Sequence, residues 1–162
     1  MLLSKSCEYG LRASILLASG DQQSYTSIRD ISSRLDISFH FLTKIFQKLN
    51  SANLLDSKKG VNGGVKLSME PADISFMDIV LAIDGSCSLN ACALGLPGCG
   101  EKRPCPMHDQ WSAIKSGLIE TMKNITMNDL AEAKGDEWNL LLHQLNNSEM
   151  ASKAEEHGVK AI

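Results

Sequence analysis

Two amphipathic helical patterns separated by only three residues constrain this chain more than any other feature in it. Ile28, Ile31 and Leu35 recur at helical spacing, and so do Phe39, Leu42, Ile45, Phe46 and Leu49. Between them stands Asp36-Ile37-Ser38, a break just long enough for a turn, which makes a helix-turn-helix. The first helix is expected from Ser27 to Leu35, opened by Thr26, and the second from Phe39 to about Ala52, with Ser38 as its cap. The other face of the second helix carries His40, Thr43, Lys44, Gln47 and Lys48. These side chains can reach base edges and phosphates from a helix lying in the major groove of double-stranded DNA.

The flanking segments complete that unit. A helix is expected from Lys5 to about Ser19, with Ser4 as N-cap and Gly20 closing it, and Cys7, Leu11, Ser14, Ile15 and Ala18 along one side. After the helix-turn-helix, Asn53–Lys58 and Gly64–Leu67 bracket Lys59-Gly60-Val61-Asn62-Gly63, a β-hairpin whose tip uses Asn and Gly for positive φ. Lys58, Lys59 and Lys66, with Asn62 at the tip, suit this wing to the phosphate backbone. Charge agrees: residues 1–70 hold nine Lys/Arg against six Asp/Glu, a net +3, whereas residues 71–162 hold seven against thirteen, a net −6.

A short helix follows from Ser75 to Ile83, where Ser75 and Asp78 form a capping-box pair. From Asp84 to Pro104 periodicity gives way to Gly, Pro and Cys, a loop. A long helix is expected from about Cys105 to Asn124 with Pro106 in its first turn. Trp111, Ile114, Leu118, Met122 and Ile125 step along it as a narrow apolar seam suited to a homodimer. Thr126 and Asp129 open a last helix to about Ala133. A further helix near Glu137–Leu145 is expected to fade into a mobile tail over 147–162.

Four of the five cysteines, Cys87, Cys92, Cys99 and Cys105, fall within nineteen residues. The chain starts with no export signal and has no apolar run long enough to cross a bilayer, so a reducing, cytoplasmic setting without membrane contact is expected. There, clustered thiols serve metal binding or redox chemistry. Cys92, Cys99, Cys105 and His108 form C-x6-C-x5-C-x2-H, and Gly95, Gly98 and Gly100 let the backbone bend the thiols toward one centre. Three thiolates and an imidazole satisfy either a four-coordinate zinc or the ligand count of an iron–sulfur cluster. Cys7 and Cys87 read as small buried hydrophobes. No set of base, nucleophile and orienting residue stands out, which argues against an enzyme.

Several stretches together resemble the IscR/NsrR-type iron–sulfur transcription regulators of bacteria. They are Leu3-Ser4-Lys5, Glu8-Tyr9-Gly10-Leu11-Arg12-Ala13, Asp36-Ile37-Ser38 with Phe41-Leu42, and Gly60-Val61-Asn62-Gly63-Gly64-Val65. Asp78-Ile79-Val80, Ile83-Asp84, the three-cysteine loop, Asn124-Ile125-Thr126 and Asp129-Leu130 continue the match in order. The resemblance implies a mainly α fold with a β-hairpin wing: a winged helix-turn-helix plus a long dimerisation helix. It implies a homodimer that binds DNA and holds its cluster on the three loop cysteines. His108 stands where the IscR branch has its fourth ligand, which implies a 2Fe–2S cluster. Glu8 of the partner subunit occupies the place of the acidic ligand in other branches, with 4Fe–4S as the alternative core. The first cysteine gap is one residue longer here than in the IscR pattern.

The expected organisation is therefore a DNA-binding domain over 1–83, a cluster loop and dimerisation helix over 84–134, and a C-terminal helix and tail over 135–162. The expected function is a transcriptional regulator whose operator affinity follows a cluster that senses redox state, nitric oxide or iron–sulfur supply. A zinc or thiol switch on the same DNA-binding frame is the alternative, and a small iron–sulfur electron carrier or enzyme the third reading.

Overall fold

A computed structural model describes residues 3–60, 63–86, 92–100 and 102–132. The expected helix at 137–145, the tail, Cys87 and Asn62 lie outside the described residues. Helices α1 (Lys5–Ala18), α2 (Ile28–Leu35) and α3 (Phe39–Ser51) lead into the antiparallel strands β1 (Leu55–Lys58) and β2 (Gly64–Leu67). A 3₁₀ turn at Pro71–Asp73 precedes α4 (Phe76–Asp84), and α5 (His108–Asn124) and α6 (Met127–Glu132) follow the cysteine loop. The fold is mainly α with a hairpin wing, as expected. No helix among the described residues is long and apolar enough to cross a membrane.

The core is one continuous apolar cluster. Leu11 and Ile15 of α1, Leu42, Ile45 and Leu49 of α3, and Ile79, Val80 and Ile83 of α4 meet in it, and Met122 and Met127 join from α5 and α6. Residues on both sides of position 84 thus share the same interior.

Local chemistry sets most of the helix ends. Ser4 Oγ accepts from the Cys7 N–H and caps α1. Ser75 and Asp78 make the reciprocal capping box of α4, and Thr126 and Asp129 make the same exchange at the start of α6. Thr126 backbone and hydroxyl donation, in that order, hold the Asp129 carboxyl below the usual carboxylate range.

Five expectations need correction. Gly20 does not close α1 in a left-handed conformation: the cap is Ser19 in the right-handed region, and the Gln22 amide reaches the carbonyls of Leu17, Ala18 and Gly20. Thr26 is not the cap of α2. Its N–H and C=O pair with those of Val65, each at 2.9 Å, and Ser27 Oγ receives the Arg29 N–H instead. Ser38 precedes α3 but makes no side-chain cap bond. Phe39 is 37% exposed, since it sits in the first turn before α3 enters the core, with the Arg29 guanidinium 5.6 Å from its ring centre. Cys105 and Pro106 precede α5, which begins at His108. Pro106 disfavours the helical region for the residue before it, so Cys105 stays in the loop.

The Thr26–Val65 bridge fastens the wing to the lead into α2, and Gly64 makes it fit. A β-carbon on Gly64 would lie 2.2 Å from the Thr26 carbonyl oxygen and 2.5 Å from its carbon, rigid backbone that cannot step aside. Gly64→Ala is therefore expected to destabilise the fold by about 2 kcal/mol and to lower the thermal midpoint by several degrees. A melting curve matching the parent's would show that the bridge is not so tightly packed.

Candidate metal centre and nucleic-acid interface

Three tight turns bring the loop thiols together. The Gly95 N–H donates to the Cys92 carbonyl at 3.0 Å, the Cys99 N–H to Leu96 at 3.4 Å, and the His108 N–H to Cys105 at 2.9 Å. Gly95 and Gly98 stand at φ +65° and +74°, a region open to glycine and strained for other residues. The Sγ atoms of Cys92, Cys99 and Cys105 lie within 4.8 Å of one another, all partly buried. Cys92 and Cys105 are 3.8 Å apart, and His108 Nδ1 is 3.5 Å from the Cys99 sulfur.

These dimensions suit a metal. Two sulfurs on one tetrahedral ion with bonds of about 2.3 Å stand about 3.8 Å apart. The donor set of soft sulfur and one imidazole nitrogen fits zinc or iron–sulfur iron. Backbone N–H groups of Leu96 and then Leu94 point at the Cys92 sulfur and bring its pKa down to about 7. At Cys99 the Cys105 N–H acts in the same sense, but burial and the two neighbouring thiols together outweigh it and its pKa is raised. Cys7 is fully buried, and that burial, with Asp84 and Glu8 nearby, pushes its thiol up to about 12. It matches the small buried hydrophobe expected of it. Glu8 receives the Lys5 ammonium at 2.9 Å, and it is not part of the thiol group.

The polar face of α3 is exposed as its periodicity predicts. His40, Lys44, Gln47 and Lys48 are exposed and Thr43 is half-buried, its hydroxyl donating to the Phe39 carbonyl at 2.7 Å. A groove of about 580 Å³ runs between the start of α2, this face and the wing, lined by Arg29, Thr43, Gln47, Asn50, Lys58 and Lys59. Arg29 and Asn50 line this groove although the sequence pattern does not single them out. Arg29 lies in the first turn of α2, where a helix-turn-helix crosses the DNA backbone, and that position was the available signal. The ammonium groups of Lys58 and Lys66 sit 5.8 and 5.3 Å from the Tyr25 ring centre. The Tyr25 hydroxyl donates to Asp56 at 2.6 Å, a bond that raises its pKa. Lys48 turns away from the groove and donates to the Ile83 carbonyl.

Along α5 the apolar stripe divides. Met122 is buried in the core and Leu118 packs against it, Trp111 and Ile125 are half-buried, and Ile114 is 60% exposed.

Comparison with known proteins agrees with this layout. The family model described as "Rrf2: Iron-dependent Transcriptional regulator" matches residues 3–133. The HTH-type transcriptional regulator IscR of Vibrio cholerae is 32% identical over 130 residues, covering 80% of this chain and 75% of that protein. Among solved structures, CymR, the global cysteine regulator of B. subtilis, is similar with a TM-score of 0.69 at 26% identity, over 82% of this chain and 98% of that one. The IscR of T. potens is similar with a TM-score of 0.66 at 25% identity, over 83% and 89%.

The thiols of the metal-free chain should separate by reactivity. Iodoacetamide labelling followed by mass spectrometry across roughly pH 5 to 9 is expected to modify Cys92 first, with a midpoint near pH 7. Cys99 should lag, and Cys7 should stay unlabelled while the chain is folded. Uniform labelling with one common midpoint would contradict the backbone N–H contacts at Cys92.

Proposed function

The chain belongs to the Rrf2 family of transcriptional regulators, and from that premise we propose that Cys92, Cys99, Cys105 and His108 hold an iron–sulfur cluster that sets its affinity for operator DNA. The carrying observation is the gathering of the three sulfurs within 4.8 Å, with an imidazole nitrogen 3.5 Å from one of them. The local histidine favours a 2Fe–2S core, with 4Fe–4S and Glu8 of the partner subunit as the alternative. When bound, the cluster supplies a centre that oxidation, nitric oxide or iron shortage can alter. The chain's part is mechanical. With all four ligands engaged, the turns at Gly95 and Gly98 and the start of α5 share one anchor; with the ligands released, each turn moves independently. The two loop states carry different operator affinities, a population shift.

The reading face would carry His40, Thr43, Lys44 and Gln47 into the major groove, with Lys58, Lys59, Asn62 and Lys66 on the backbone and Arg29 joining them from α2. A homodimer would place two such faces about 34 Å apart. The exposed Ile114 supports a seam on the N-terminal part of α5, continued by Trp111 and the half-buried Leu118 and Ile125.

A second reading keeps DNA binding and makes the loop a zinc or thiol switch. The structural likeness to CymR and the 3.8 Å separation of Cys92 and Cys105 favour it. Those two thiols could close to a disulfide, giving up two protons and two electrons to a peroxide that leaves as water.

Chain purified without oxygen is expected to be coloured, with iron and acid-labile sulfide, and Cys92→Ala is expected to lose all three while still binding DNA in its metal-free state. Zinc without sulfide would favour the second reading. At the interface, Gln47→Ala should cost about 1–3 kcal/mol and relax preference at one base pair. Lys44→Ala should weaken all sequences alike and reduce the salt slope by about one. Titrations of matched and mismatched duplexes at several salt concentrations distinguish the two; variants that bind like the parent would remove α3 from the interface.

A further inference from the structure

The sequence sets Lys48 beside Lys44 on the wet face of α3, yet the fold gives it another partner. Its ammonium donates to the Ile83 carbonyl, 2.8 Å away, at the C-terminal end of α4. That oxygen belongs to the last turn, where a helix has no internal donors left, and a cation there suits the negative end of the helix dipole. The next residue, Asp84, accepts from the backbone N–H of Ser4 at 2.8 Å and from the Ser4 hydroxyl, the same hydroxyl that caps α1. Gly85 then redirects the chain at φ +72°, its N–H still on the Leu81 carbonyl at 3.1 Å. Three helices therefore meet at Ile83–Gly85, seven residues ahead of Cys92.

The other ligands reach the same helix by a second route. Cys105 and His108 stand at the head of α5, which packs along α4. At its far end, the Phe76 N–H donates to the Ile125 carbonyl at 2.8 Å, tying the start of α4 to the α5–α6 corner. Helix α4 is thus in contact with both sides of the thiol loop, and Lys48 is the hydrogen bond by which α3 grips its end.

We propose that Lys48 is a positioning residue that transmits the state of the thiol site to the reading helix, through its bond to the end of α4, and is not itself a DNA contact. The inference rests on the reading of the loop as a metal-dependent switch. A rearranged loop shifts the end of α4, and the charge-assisted bond carries that shift into α3. A bond of this kind supports a coupling of about tenfold in affinity.

The test uses the full chain, cluster-reconstituted and metal-free, on a duplex selected from a random pool by the wild-type protein. Lys48→Met keeps the aliphatic stem and removes the donor; Lys48→Arg restores a donor. Lys48→Met is expected to shrink the ratio between the two forms' affinities about fivefold or more, with iron and sulfide content unchanged. It should also speed amide exchange at Gly85, and Lys48→Arg should recover most of the ratio. Equal weakening of both forms with a salt slope lower by about one would make Lys48 a phosphate contact and overturn the proposal. A ratio that stands at one in the wild type, or that the variant leaves unchanged, overturns it too. A wild-type chain that takes up no iron sinks the cluster reading instead. Gly85 exchange then decides for Lys48: faster exchange in Lys48→Met upholds the grip on α4, and unchanged exchange overturns it.

Discussion

At Gly10, α1 comes so close to its neighbours that a β-carbon would lie 2.2 Å from Ile83 Cδ1 and 3.2 Å from Ile45 Cγ2. This crossing brings together α3 and the helix from which the cysteine loop departs. Ile45 belongs to α3 and Ile83 to α4, so one apolar contact fixes both against the same surface. Apolar packing is dense and poorly compressible. The three helices therefore keep a fixed spacing at this point. The polar contacts of Ser4, Lys48 and Asp84 ring this apolar centre and give the crossing its register.

Charge is divided in keeping with that arrangement. The cationic side chains at the groove, Arg29, Lys58 and Lys59, all come from the basic N-terminal part of the chain, and the acidic excess lies after residue 70. A net charge of −3 thus coexists with a locally positive surface, and approach to a polyanion depends on the local field. The wing adds its own ordering: Tyr25 underlies Lys58 and Lys66 and is held by Asp56, so two lysines with long flexible stems are partly pre-arranged before DNA arrives.

Much of this was legible from residues alone where the cause is local. The apolar face of α3 follows from the spacing of Leu42, Ile45, Phe46 and Leu49, and the capping box of α4 from Ser75 and Asp78. The reach of the thiols toward one centre follows from cysteines interspersed with Gly95 and Gly98. The misreading of Thr26 has a cause of the opposite kind. Thr26 has the chemistry of a cap, but its backbone is engaged by Val65, thirty-nine residues away in sequence. Cys105 looks like a helix residue until the proline after it is weighed.

What the sequence by itself determined is the kind of each element, the side it turns inward, and the chemical character of the clustered thiols and imidazole, because periodicity, capping and thiol chemistry act over one or two turns of chain. Only the tertiary structure decided which partners those groups find: the 3.8 Å approach of Cys92 to Cys105, the splitting of the α5 stripe into a buried and an exposed part, and the turn of Lys48 toward Ile83. Such choices depend on where distant backbone lands when the apolar core closes, and no local rule of spacing contains that distance.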